Sequence, residues 1–264
     1  MQFKSYTGNR PKAVQNCGRR CALSLLLAAV ATSPLVSCGG SVDYPAQGFD
    51  GVAYADFADL AEGARPALLL IGQRADGSMF GGNGVALAPD LILTAEHVGD
   101  DEIIRVGHIP VRAEMIAHGG FPEVRGDDWA LLRIEPPVPE SWVVGLGPEP
   151  KIGDALFVRG VLGARPRRGG TLFAPFEGEA RAVAPGEVGI VDDPGVLVLD
   201  LRVWRSLSGA PVLDLSGRVV GVLAKAHHKN GRDAAVARRL PRDAIARAIT
   251  GEPATGAERT GHRP

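Results

Sequence analysis

The chain has 264 residues, 45% of them hydrophobic, with 29 Lys and Arg against 30 Asp and Glu and a formal net charge of −1. Five of the basic residues and none of the acidic ones precede residue 38, leaving 24 basic against 30 acidic beyond it, a balance that argues against a nucleic-acid or anionic-membrane surface. All three cysteines, Cys17, Cys21 and Cys38, lie at or before residue 38, so the remainder has no internal disulfide and must rely on its core, which about 225 residues can build.

Residues 1–37 read as a signal peptide: Lys4, Arg10, Lys12, Arg19 and Arg20 precede an apolar stretch, Cys21 to Val36, too short to span a bilayer comfortably. The end of that stretch, Leu35-Val36-Ser37-Cys38, resembles the bacterial lipobox, which implies cleavage before Cys38, lipidation of that cysteine and a membrane anchor. In lipoproteins a non-Asp residue at the next position, here Gly39, favours the outer membrane, so the expected location is the cell envelope, facing the periplasm or the cell surface. Arg19-Arg20 would begin a twin-arginine signal, but Cys21-Ala22-Leu23 departs from that pattern. Residues 38–62 read as a tether and a weakly patterned segment, and 63–250 as the folded domain.

From Pro66 onward short β-type runs alternate with Gly, Pro and Asp. The pattern predicts strands over Ala67–Gln73, Gly84–Ala88, Leu91–Thr94, Ile103–Val106, Val111–Ala117 and Ala130–Ile134. A second group covers Ala155–Val161, Glu179–Val183, Val196–Leu201, Pro211–Asp214 and Val219–Ala224. So many short strands indicate an all-β fold of antiparallel barrels or a sandwich, and exclude regular α/β alternation. Pro136, Pro137 and Pro139 mark a linker near 135–150. Pro241 to Ile249 has helical spacing in Ala244, Ile245, Ala248 and Ile249 with Pro at its start, and 251–264 reads as a disordered tail.

Three local frames carry the chemistry. Acyl transfer by serine needs a nucleophile, a base to take its proton, an acid to orient that base, and donors for the oxyanion. His97 comes after the run Leu91-Ile92-Leu93-Thr94-Ala95-Glu96, Asp128 opens Asp128-Trp129-Ala130-Leu131-Leu132, and Ser208 lies in Ser206-Leu207-Ser208-Gly209-Ala210-Pro211. Each alone is an ordinary strand end or turn; their joint occurrence in this order is the signal.

These runs resemble the trypsin-like, chymotrypsin-fold serine peptidases, especially the bacterial HtrA/Deg type, over roughly Ala67 to Ala224. The patterns matched are L-T-A-x-H-V at 93–98, D-x-A-L-L at 128–132 and S-G-x-P at 208–211, with Gly82-Asn83-Gly84-Val85 similar to the glycine pair of the family's second strand. The resemblance implies two six-stranded antiparallel β-barrels with a short C-terminal helix. It also implies a catalytic triad of His97, Asp128 and Ser208, an oxyanion hole from the backbone N–H groups of Ser206 and Ser208, and protein or peptide substrates without a cofactor. Asp127 is a rival orienter out of frame with Ala130. A PDZ-like module is not expected within residues 251–264. By family position, Arg202, Val203, Val222, Leu223 and Ala224 would border the substrate side chain, and Arg202 would suit an acidic one or else pair with a nearby carboxylate.

The chain leaves the family pattern beside the serine. Ser206 stands where the family has Gly, and Leu207 where it usually has Asp or Asn. Glycine tolerates positive φ there, so Ser206 either adopts the geometry at a cost of about 1–2 kcal/mol or leaves the hole collapsed until substrate binds. A pseudo-protease that binds peptides or a protein partner in the same cleft is therefore the alternative. His227-His228 would face opposite ways on a strand and lacks a ligand cluster, so no metal site is expected. Gly81-Gly82-Asn83-Gly84 lacks the Lys and helix of a phosphate loop.

Overall fold

The computed structural model describes residues 64–251 apart from 120–127, 165–171, 191, 192, 194 and 230. The expected signal peptide and tether, Cys38, most of the expected tail and Asp127 lie outside the described residues. No described helix is long and apolar enough to cross a membrane.

The first lobe is one antiparallel sheet. Its strands are β1 (Ala67–Gln73), β2 (Met79–Ala88), β3 (Leu91–Thr94), β4 (Glu102–Val106), β5 (Ile109–Pro110), β6 (Arg112–His118) and β7 (Ala130–Glu135), in the order β5-β4-β1-β2-β3-β7-β6. The expected closed six-stranded barrel is here a half-barrel of seven strands. β4 gives its outer edge to the two-residue β5, whose Pro110 has no N–H to donate, and among the described residues β6 pairs only with β7. Leu68, Leu70, Phe80, Ile92, Val98 and Leu132 form its core.

The second lobe is a closed barrel of β8 (Ala155–Ala164), β9 (Leu172–Val183), β10 (Val196–Leu199), β11 (Pro211–Leu213), β12 (Val219–Lys229) and β13 (Arg232–Arg239), ordered β10-β13-β12-β11-β8-β9. β13 is not among the expected strands. Its sequence, Arg-Asp-Ala-Ala-Val-Ala-Arg-Arg, lacks β-branched and aromatic residues apart from Val236, because Ala235 and Ala237 fill a crowded barrel interior. β9 extends seven residues before the expected start, its Pro175 and Gly178 included in the ladder with β8.

The linker joins the lobes by hydrogen bonds to both. Val144 N–H donates to Ala86 O at 2.9 Å on β2, Gly147 N–H donates to Val219 O at 2.7 Å, and Val219 N–H donates to Gly145 O at 2.9 Å. Leu93, Trp129 and Leu131 of the first lobe pack with Leu213, Val219 and Val222 of the second. Helix α1 (Glu96–Gly99) is a single turn leaving β3. Helix α2 (Arg242–Thr250) covers the seam between the lobes with Ala244, Ile245 and Ala248; Ile249 instead faces solvent, and Gly251 closes the helix in a left-handed cap.

Candidate active site

β3 is buried along its whole length, which fixes the direction in which α1 leaves it and so the position of His97. Val98 on the same turn packs where Gly82 has no side chain; a Cβ there would lie 2.5 Å from Val98 Cγ1. Asp128 precedes β7, the neighbour of β3, and its carboxylate meets His97 twice. The ring Nδ1 lies 2.8 Å from Oδ2 and 3.0 Å from Oδ1, and the His97 backbone N–H donates to Oδ1 at 3.2 Å. Facing an ionised carboxylate, which can only accept, Nδ1 carries a ring proton, and Nε2 is left on the side of the ring away from Asp128. Burial pushes the Asp128 carboxyl upward, but the His97 hydrogen bond, the imidazole charge, the His97 backbone N–H and the Arg238 guanidinium outweigh it, holding Asp128 below its ordinary value.

Ser208 comes directly after a single 3-10 turn, Arg205–Leu207. Its hydroxyl donates to the Arg205 carbonyl at 3.0 Å, with the Ala224 carbonyl at 3.4 Å, and its backbone N–H also turns to Arg205 O at 3.3 Å. Both Oγ contacts are thus to backbone carbonyls and neither is to the His97 ring. Carbonyl and N–H of a trans peptide point opposite ways, so with Arg205 O turned onto Ser208, the Ser206 N–H is turned away from it. The pair expected to form an oxyanion hole is split, one donor engaged and the other averted. Ser206 itself is buried, and its Oγ has no hydrogen-bond partner among the described residues. Leu207 is fully buried against the second barrel, in space left by Gly160, where a Cβ would stand 2.6 Å from Leu207 Cδ2. The next residue, Gly209, has φ +81°, and a Cβ on it would collide with the Asn83 carbonyl.

Of the residues expected to border the substrate, only Arg202 exposes its side chain, stacked over Trp204 at 5.8 Å and 3.7 Å from Asp233. Val203, Val222 and Leu223 turn their side chains into apolar packing. Ala224 is also buried and offers its carbonyl to Ser208. His227 Nε2 faces Val188 O and His228 Nδ1 faces Asp233. Among the described residues no group of three or more His, Cys, Asp or Glu side chains is placed to hold a metal ion.

Two features escape sequence reasoning. Asn83, a polar residue between two glycines in an apolar strand, is fully buried and hydrogen-bonded to both β8 and the serine loop. Glu96, adjacent to His97, is buried and pairs with His118 Nδ1 at 2.9 Å, while its Oε2 has no partner among the described residues. Burial, with Asp128 and Asp100 nearby, pushes the Glu96 carboxyl above its ordinary value despite the opposing effect of His118. The visible signal for each is a polar residue interrupting an apolar frame.

The sequence matches the model of the trypsin-like peptidase domain over residues 82–222. No curated protein sequence matches it. Among solved structures it is similar to kallikrein-related peptidase 10 in complex with Zn2+, with TM-score 0.55 and 21% identity over 72% of this chain and 98% of that one. It is also similar to a scabies mite inactivated protease paralogue, S-I1, with TM-score 0.54 and 15% identity over 76% and 99% of the two chains. An HtrA-type protease, AlgW, with a tripeptide gives TM-score 0.51 and 20% identity over 76% of this chain and 64% of that one. With the domain model spanning more than half of its length and a closed barrel joined to a half-barrel around the serine loop, this chain belongs to the trypsin-like peptidase family and has the chymotrypsin fold.

Proposed function

We propose that this chain is a serine endopeptidase of the bacterial cell envelope, hydrolysing peptide bonds through His97, Asp128 and Ser208 and anchored by lipid on Cys38. One observation carries the catalytic reading: the Asp128 carboxylate receives both the ring Nδ1 and the backbone N–H of His97, which orients Nε2 as a base. Ser208 Oγ attacks the scissile carbonyl carbon as its proton passes to His97 Nε2. The imidazolium then gives that proton to the leaving amine; water, deprotonated by the same nitrogen, attacks the acyl carbon, and the proton passes from Nε2 to the departing Ser208 Oγ as the acid is released. For this the Ser208 hydroxyl must leave the Arg205 carbonyl, and the Arg205–Ser206 peptide must turn so that the Ser206 N–H faces the oxyanion.

The position of the Arg205 carbonyl favours a second reading, a peptide-binding protein without turnover. A missing oxyanion donor costs on the order of 100-fold or more in rate. A fluorophosphonate probe is expected to label the purified protein at Ser208 and to leave the Ser208→Ala variant unlabelled. A folded wild-type protein that takes up no probe, together with a Ser206→Gly variant that takes up none, would establish the second reading.

A further inference from the structure

Asn83 uses its whole amide within the fold. Nδ2 donates to Ser206 O at 2.8 Å and to Val161 O at 3.2 Å, and Oδ1 accepts the Val161 N–H at 2.6 Å. Its backbone N–H donates to Ser208 O at 2.8 Å, and its carbonyl accepts the Thr94 hydroxyl at 2.6 Å. One residue of β2 in the first lobe thus holds β8 of the second lobe, the strand that leads to His97, and two carbonyls of the serine loop. Burying an amide among apolar strands is costly unless every group is paired.

The pattern of carbonyls shows what this clamp does. Ser206 O and Ser208 O are held by Asn83, and Leu207 O accepts the Ala210 N–H at 2.9 Å. The Arg205 carbonyl is met from inside the loop, by the N–H and hydroxyl of Ser208. Because a carbonyl fixes its whole planar peptide, the peptides after Ser206, Leu207 and Ser208 are tied to the frame. The turn that would aim the Ser206 N–H at an oxyanion then falls on the peptide between Arg205 and Ser206.

We infer that Asn83 is a positioning residue for the serine loop: its side chain fixes the Ser206 carbonyl to β8 and confines rearrangement of the loop to the Arg205–Ser206 peptide. Ser208 therefore keeps its place relative to His97 while the oxyanion donor swings. The consequence for turnover rests on the peptidase reading; the clamp itself does not.

Both parts are tested on the purified protein with Asn83→Ala and with Asn83→Asp, which keeps the acceptor for Val161 but replaces the donor to Ser206 by an oxygen. Amide hydrogen exchange at Leu207, Ser208 and Gly209 is expected to speed up about 10-fold or more in a variant that still unfolds cooperatively. Unchanged exchange at these three amides overturns the inference, whatever the activity. With a peptide ester substrate, kcat is expected to fall about 10- to 100-fold with KM within about threefold, since misplacement near 1 Å can cost that much. Ser206→Gly should accelerate the wild type but not the Asn83→Ala background; equal acceleration in both overturns the inference. A wild type that ignores the fluorophosphonate while its loop amides respond to Asn83→Ala overturns the peptidase reading and leaves the clamp standing.

Discussion

Among single residues, the two buried carboxyls beside His97, those of Asp128 and Glu96, shift in opposite directions. The Asp128 carboxyl is depressed by His97, so its contribution to stability is complete above the ordinary aspartate range and is lost as pH falls through the depressed value. Glu96 is the opposite case: its folded value lies above the unfolded 4.5, so the folded state keeps that proton longer and stability declines as pH rises through the window above 4.5. Glu96→Gln retains an acceptor for His118 and removes the buried charge. Thermal unfolding at pH 7–8 is expected to rise by about 2–4 °C per kcal/mol recovered, with no gain near pH 4. Ser206 acts on rate. In its 3-10 turn it avoids the positive φ that glycine accepts, and relief of about 1–2 kcal/mol in Ser206→Gly should raise the rate of fluorophosphonate labelling about 5- to 30-fold. A labelling rate equal to that of the wild type would show that Ser206 does not set the loop's resting state.

Among the elements, the serine loop is held from both ends by packing as well as hydrogen bonds. Leu207, in place of the family's polar residue, drops into the second barrel beside Gly160 and makes the 3-10 turn part of that core. Leu207→Ala should cost about 2–5 kcal/mol in chemical denaturation, as deletions from tight cores do. A smaller loss would mean that the turn collapses around the gap. Strands are legible in the sequence where burial produces clear apolar runs: β1 and β3 have the bounds that the pattern predicts. β13 and the first part of β9 are not, because alanines inside a narrow barrel and a proline within a long hairpin carry no strand-like period.

Across the whole molecule, the two lobes share one continuous apolar seam, with the linker paired to both and α2 laid across it. Asp128 and His97 belong to the first lobe and Ser208 to the second, and Asn83 of the first lobe is bonded to the serine loop. Beyond residue 38 the acidic excess offers no electrostatic attraction to an anionic bilayer, so the proposed membrane attachment would rest on lipid at Cys38. Cys38→Ala is expected to move the protein from the membrane fraction to the soluble one after cell lysis; unchanged fractionation would remove the anchor from the proposal.

The family, the candidate residues His97, Asp128 and Ser208, and the two positions where the chain departs from its relatives are all readable in the order of amino acids, since they depend on side-chain identity in short local frames. The half-barrel of the first lobe, the joining of three elements by Asn83 and the turn of the Arg205 carbonyl onto Ser208 emerge in three dimensions alone. Those are matters of which way a peptide plane points. In the serine loop that direction is held by hydrogen bonds such as those of Asn83, whose partners lie 78 and 123 residues away, a separation over which local patterning carries no information.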